Sequence, residues 1–213
     1  MKLKGIFVLL VWMIASSVYG QYDPQALSIL DKMSNRIKSM KSFEADFKYI
    51  LENRMEDLTE EFAGNIKVKG EKFVLKMEGQ EIYNDGETVW TYFADVNEVN
   101  IDNYVPEESD MTPSKIYKAY KDGYKYLKLE DASKRGKPVH VVDLIPEDKS
   151  LPFFKIRLYV SKSNYDLVEW SMFDKTGNIY HYQIKDFEEI SASEKDFVFN
   201  PADYKNVDVV DLR

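Results

Sequence analysis

His140 and His181 are the first side chains to weigh for chemistry, because imidazole is both a common metal ligand and the usual general base near neutral pH. Each stands alone within an alternating strand pattern, with no second ligand at a metal-binding spacing, and the chain has no cysteine. There is no HExxH helix, no GxSxG nucleophile turn and no glycine-rich phosphate loop. The acidic pairs Glu60-Glu61, Glu107-Glu108 and Glu188-Glu189 could supply an acid and a base. Sequence neighbours on a strand point to opposite faces, so such pairs do not converge on one substrate. Asp143, between Val142 and Leu144, reads as half-buried, with a neighbouring lysine as its expected partner. Tyr117, Tyr120, Tyr124 and Tyr126, and later Tyr180 and Tyr182, could form a carbohydrate platform. Half-buried packing is the better reading, because tyrosine is a common amphipathic strand residue. No catalytic residue, metal or cofactor is expected.

The elements around these residues begin with a leader. Lys2 and Lys4 precede the apolar run from Ile6 to Ala15, and small Gly20 follows. The run falls short of the ~20 residues that span a bilayer, so residues 1–20 read as a secretory signal peptide and 21–213 as one exported, soluble domain. Without cysteine there is neither a disulfide nor an acylation site, so a hydrophobic core must provide the stability. The formal charge is -8 and becomes more acidic once the two leader lysines are removed. That balance argues against nucleic acid or an anionic membrane surface as partner.

Asp23-Pro24 opens an amphipathic helix with a stripe through Leu27, Leu30, Met33, Ile37 and Met40. The period then changes to two. Alternating strands follow from Phe43 to Leu51, Phe62 to Val68 and Phe73 to Met77, then through Tyr83 and Thr88–Phe93 to Val96–Ile101. Thr112-Pro113 opens a short inserted helix with Ile116, Ala119 and Tyr120, ending near Gly123. Strands resume over 124–129, 139–145, 153–161, 167–173, 178–187 and 197–199, and the polar stretch Asp131–Pro138 reads as a loop. The fold class is mainly β with α: a single unclosed antiparallel β-barrel of about 10–11 strands, with the two helices over its concave face. The inward positions carry many large side chains, and a small barrel filled by them would have no cavity.

In order along the chain, Ser42-Phe43-Glu44-Ala45-Asp46-Phe47, Phe62-Ala63-Gly64-Asn65-Ile66-Lys67-Val68-Lys69, Asn84-Asp85-Gly86-Glu87-Thr88-Val89-Trp90-Thr91-Tyr92 and Phe197-Val198-Phe199-Asn200-Pro201 resemble the periplasmic outer-membrane lipoprotein carrier family, LolA. The resemblance runs from about Ala26 to Arg213. It implies a cavity that accepts the acyl chains of triacylated lipoproteins released by an inner-membrane ABC transporter and passes them to an outer-membrane acceptor. A monomer without nucleic-acid partners is expected. Other readings are a sensor of lipids or lipoproteins and a carrier of another lipid or glycolipid; a hydrolase is disfavoured by the absence of motifs.

The cavity lining expected from alternation and this resemblance comprises Leu30, Met33 and Ile37 on the helix, with Phe47, Leu75, Met77, Trp90 and Tyr92 on the first strands. Phe154, Ile156, Leu158 and Trp170 complete it. Methionines suit such a lining because the thioether chain refills irregular space. Family members carry an arginine after the second strand that helps hold the lid; here Val68-Lys69-Gly70 stands in its place. Lys69 is the candidate substitute, with Ile116 and Tyr120 as lid residues, although an ammonium does not reproduce a guanidinium fork.

Overall fold

The computed structural model describes residues 22–105, 117, 120, 121 and 123–213. The expected signal peptide and most of the inserted helix, including Ile116, lie outside the described residues. Among the described residues the fold is one helix and one sheet of twelve strands.

Helix α1 (Pro24–Lys38) starts where expected. The Asp23 carboxylate accepts from the Gln25 and Ala26 amides at 2.8 and 3.4 Å, and Pro24 fills the first helical turn. Its last turn carries Arg36 and Lys38, which complement the negative end of the helix dipole. The buried face is Ala26, Ile29, Leu30, Met33 and Ser34. Leu27, expected on the stripe, lies to one side and is exposed.

The strands are β1 (Phe43–Asn53), β2 (Leu58–Lys69), β3 (Lys72–Met77), β4 (Gln80–Asn84), β5 (Thr88–Phe93) and β6 (Glu98–Asn103). They continue with β7 (Tyr124–Lys134), β8 (Lys137–Pro146), β9 (Phe153–Ser161), β10 (Leu167–Asp174), β11 (Asn178–Glu189) and β12 (Asp208–Asp211). Across the sheet they run β12-β6-β5-β4-β3-β2-β1-β11-β10-β9-β8-β7. β1 thus pairs with both β2 and β11, which brings the two halves of the chain together, and the outermost strands β12 and β7 leave the barrel unclosed.

Two local expectations need correction. Phe197–Phe199 is not a strand: Glu194–Phe197 forms a 3-10 turn, and the added strand is β12, parallel to β6. The stretch 131–138 is not a loop. β7 runs to Lys134 and β8 starts at Lys137, with Arg135 and Gly136 both at positive φ (49° and 76°), the geometry of a two-residue hairpin turn. Its polarity reflects an exposed hairpin rather than irregular backbone.

Both faces of the sheet are partly covered. On the concave side α1 packs over β7–β10, where Leu30 and Met33 meet Val142, Leu144, Ile156 and Leu158, all fully buried. Each such side chain contributes about 1.5–3 kcal/mol by leaving water. On the convex side the segment after β11 crosses β4–β6, and Phe199 and Tyr204 pack against Tyr83, Tyr92 and Val99.

Candidate functional site

A helix of 15 residues is about 22 Å long, and α1 covers the β7–β10 part of the concave face. Ile37, in its last turn, touches both that packed cluster and a second one formed by Met40, Phe43, Phe47, Ile66, Val68 and Phe73. Beside this second cluster a cavity of about 930 Å³ opens. Its floor is Phe43, Phe47, Ile66, Phe73, Leu75 and Met77; Trp170, Tyr182 and Ile184 form the far wall, and Tyr117 closes over it. Alternation accounts for the floor: residues directly opposite one another on paired strands share a face, as do Phe47 and Gly64, Ile66 and Leu75, and Leu75 and Ile82.

An aromatic series leads from this wall to the rim. The rings of Trp170 and Tyr182 stack at 4.5 Å and 6°, Tyr182 meets Tyr49 at 5.0 Å, and Tyr49 meets Phe62 at 5.9 Å. Phe62 is 43% exposed. Beyond Gly64, β2 has outrun β3, so this end of the β1–β2 hairpin carries the series past its neighbour strand. The opposite wall is polar: Gln80, Thr91, Asp102 and Asn103 interrupt Ile82 and Val89.

The expected lining residues divide into four groups. Phe47, Leu75, Met77 and Trp170 line the cavity. Leu30, Met33, Ile156 and Leu158 instead pack against one another beneath α1, where they form solid core, and Ile37 sits at the border. Trp90 and Tyr92 are on the wrong side: β5 presents Val89 and Thr91 to the cavity, while Trp90 and Tyr92 belong to the convex cluster, with Tyr92 4.4 Å from the Tyr204 ring. Both faces of β5 are covered, so apolar alternation did not distinguish them. Phe154 is 49% exposed and lies near Phe173, because the β9–β10 register shifts between Phe173 and Asp174 and turns Phe153 inward in its place.

Lys69 is also displaced from its expected role. It follows inward-facing Val68, so its ammonium reaches the other side and donates to the Ala192 carbonyl at 3.1 Å and to Glu194 at 2.6 Å. It fastens the C-terminal segment instead of reaching the lid. Tyr120 is buried, and its hydroxyl donates to Asp31 on α1 at 2.7 Å. Burial first, and that hydrogen bond second, push its pKa up to about 12. The lining residues missed as a set, Tyr49, Ile66, Ile82, Tyr182 and Ile184, were readable as alternating positions but not as members of one wall.

The ionisable groups singled out in the sequence are held in structural contacts. Asp143 is held by Arg157 through a two-point contact at 2.7 and 2.8 Å, a guanidinium in place of the expected lysine. His140 meets Asp131 at 3.1 Å; His181 bridges Ser171 and Glu52 at 2.8 and 3.1 Å. Asp131 is held well below the usual carboxylate range by Lys128, then by Lys162 and His140. Among the described residues no three His, Asp or Glu side chains gather as a metal site. What the arrangement offers is an apolar recess with one polar wall, suited to binding.

Residues 38–200 match the model of the outer membrane lipoprotein carrier protein LolA. The chain belongs to this family. LolA-like proteins are carrier or binding proteins rather than enzymes. An uncharacterised conserved protein from Thermus thermophilus shares the LolA-like fold, covering 88% of this chain and 99% of its own at TM-score 0.60 and 15% identity. A LolA superfamily protein from Nitrosomonas europaea matches over 82% and 97% of the two chains (TM-score 0.45, 15% identity). The Mycobacterium tuberculosis lipoprotein LppX matches over 80% and 98% (TM-score 0.49, 10% identity). No curated protein matches the sequence itself.

Proposed function

We propose that this chain is a periplasmic carrier that shelters the acyl chains of lipoproteins between the two membranes of a Gram-negative cell. In this reading residues 1–20 direct export and are removed, and residues 21–213 act as a monomer. An inner-membrane ABC transporter loads it, and an outer-membrane acceptor receives the cargo. The observation that carries the reading is the apolar cavity of about 930 Å³ left open beside α1 in a LolA family member. A lipid-bearing protein crossing water exposes its chains at about 0.8 kcal/mol per CH₂, so a soluble carrier needs such a recess. Phe47, Leu75, Met77 and Trp170 are the proposed lining. The contact of the Tyr120 hydroxyl with Asp31 is a proposed latch onto α1.

The test is native mass spectrometry of the exported, processed protein with a triacylated lipoprotein and with its unacylated form. Uptake of the acylated form alone, one to one, abolished by Leu75→Asp in a variant with unchanged circular dichroism, supports a carrier. A folded wild-type protein that takes up neither lipoprotein nor free lipid would overturn it.

A further inference from the structure

The ladder between β10 and β11 ends early. Glu169 pairs with Gln183, but the next partners in register, Val168 and Ile184, are not paired. Both of their carbonyl oxygens instead accept from Arg135 Nη2, at 2.9 and 2.5 Å, so a guanidinium from the β7–β8 turn sits where the two strands part. β11 continues past this point over Lys185–Glu189. There it pairs with β1, through Ala45–Phe187, Glu44–Glu188 and Phe43–Glu189, and has no strand on its other side among the described residues.

The Ile190 amide donates to the Ser42 carbonyl at 3.1 Å, on the β1 side. Backbone groups alternate in direction along a strand, so Glu189 and Phe187 turn their N–H and C=O away from β1. This free edge borders a groove of about 980 Å³, closed on the far side by the turns 135–138 and 161–166. Groove and apolar cavity meet at Ile184, which lines both, and the Phe187 ring lies 5.1 Å from that of Phe43 on the cavity floor.

The side chains of the groove carry no single charge. Arg135, Lys137 and Lys185 are set against Asp166, Asp186 and Glu188, and Asp166 is already held by Arg36 at 3.1 Å. What the groove offers is backbone hydrogen bonding along five extended residues, roughly 17 Å, which a second extended chain satisfies whatever its sequence. The exposed charges at Lys185, Asp186, Glu188 and Glu189 guard the edge against untethered strands.

We propose that this edge receives the polypeptide of the cargo, the residues that follow its acylated cysteine, as a strand added to β11 while the acyl chains lie in the cavity. The proposal rests on the acyl-carrier reading and deepens it by giving the peptide part of the cargo its own site. Seated chains hold the attached peptide beside the groove at high effective concentration, which is what a guarded edge requires.

Three triacylated ligands test it by pairwise competition for the processed protein, with the complexes counted by native mass spectrometry. They are a lipopeptide long enough to span Lys185–Glu189, the same lipopeptide N-methylated throughout its peptide, and the acylated cysteine amide alone. About tenfold preference for the unmethylated lipopeptide over both others, with slowed amide exchange over Lys185–Glu189, supports the proposal. Glu189→Pro removes one outward donor and no bond to β1, so it should lose most of this preference, while Glu189→Ala keeps it; the N-methylated ligand makes the same test without altering the protein. Equal binding of all three overturns the peptide site and leaves the acyl cavity standing. A preference that survives N-methylation, or protection that appears instead at Leu58–Ala63, where β2 runs beyond β3, overturns the pairing with β11. No binding of any of the three overturns both readings.

Discussion

Phe47 lies directly across the strand pair from Gly64, and its ring fills the place that a Cβ on residue 64 would need. A methyl there would sit 2.5 Å from Phe47 Cζ and 2.6 Å from the Lys76 carbonyl oxygen. The ring could swing away, but the carbonyl belongs to the neighbouring strand and cannot. Glycine at this position therefore lets the aromatic ring lie flat on the cavity floor.

Gly64→Ala should cost about 1–3 kcal/mol of stability through this overpacking, read as a lower urea midpoint with an unchanged slope. A midpoint equal to wild type would show that the floor yields freely at this point. Gly70→Ala, where a Cβ meets nothing within 4 Å but φ is +63°, is the control for backbone strain without crowding.

The two tryptophans of the described chain face opposite sides of one sheet, which gives the carrier reading a spectroscopic test. With a nitroxide-labelled fatty acid bound, Trp170 fluorescence in a Trp90→Phe variant should be strongly quenched, because Trp170 lines the cavity. Trp90 in a Trp170→Phe variant should keep most of its emission behind the sheet. Equal quenching of both would place the lipid somewhere other than this cavity.

Asp143 and Arg157 form a pair whose side chains are 9% and 28% exposed. Removing one partner leaves a largely buried charge, so Asp143→Ala should destabilise by about 2–3 kcal/mol. Replacing both, as Asp143→Val with Arg157→Met, should recover most of that loss in thermal unfolding. A double variant as unstable as the single one would mean that the pair contributes more than the desolvation it offsets.

Glu194 accepts from Lys69 and Lys72, both at 2.6 Å, and these contacts lower its pKa from 4.5 to about 2. A carboxylate depressed in the folded state adds stability that is complete above its unfolded pKa and is lost as pH falls through the folded one. The stability difference between wild type and Lys69→Met/Lys72→Met should thus be present at neutral pH and shrink between pH 4.5 and about 2. A carboxyl-carbon NMR titration of Glu194 should move back toward 4.5 in that variant. A difference that persisted unchanged at the acid end of this window would point to another origin.

Element types were legible along the chain, because periods of 3.6 and 2 are local properties: α1 begins at Asp23-Pro24, and the strands from Phe43 to Met77 form where alternation places them. It also carried the family, through residues spread over most of its length. Which apolar face holds a cavity depends on long-range packing. On β5 the choice between Val89-Thr91 and Trp90-Tyr92 depends on what covers each side, and the cover on the convex side is Phe199 and Tyr204, which lie far along the chain. The extent of solid core was likewise a matter of reach, since α1 fills the space over Ile156 and Leu158 but ends before Leu75 and Met77. Local pattern records that a side chain leaves water; whether it meets a helix, a C-terminal segment or an open recess is set by contacts between elements distant in the chain.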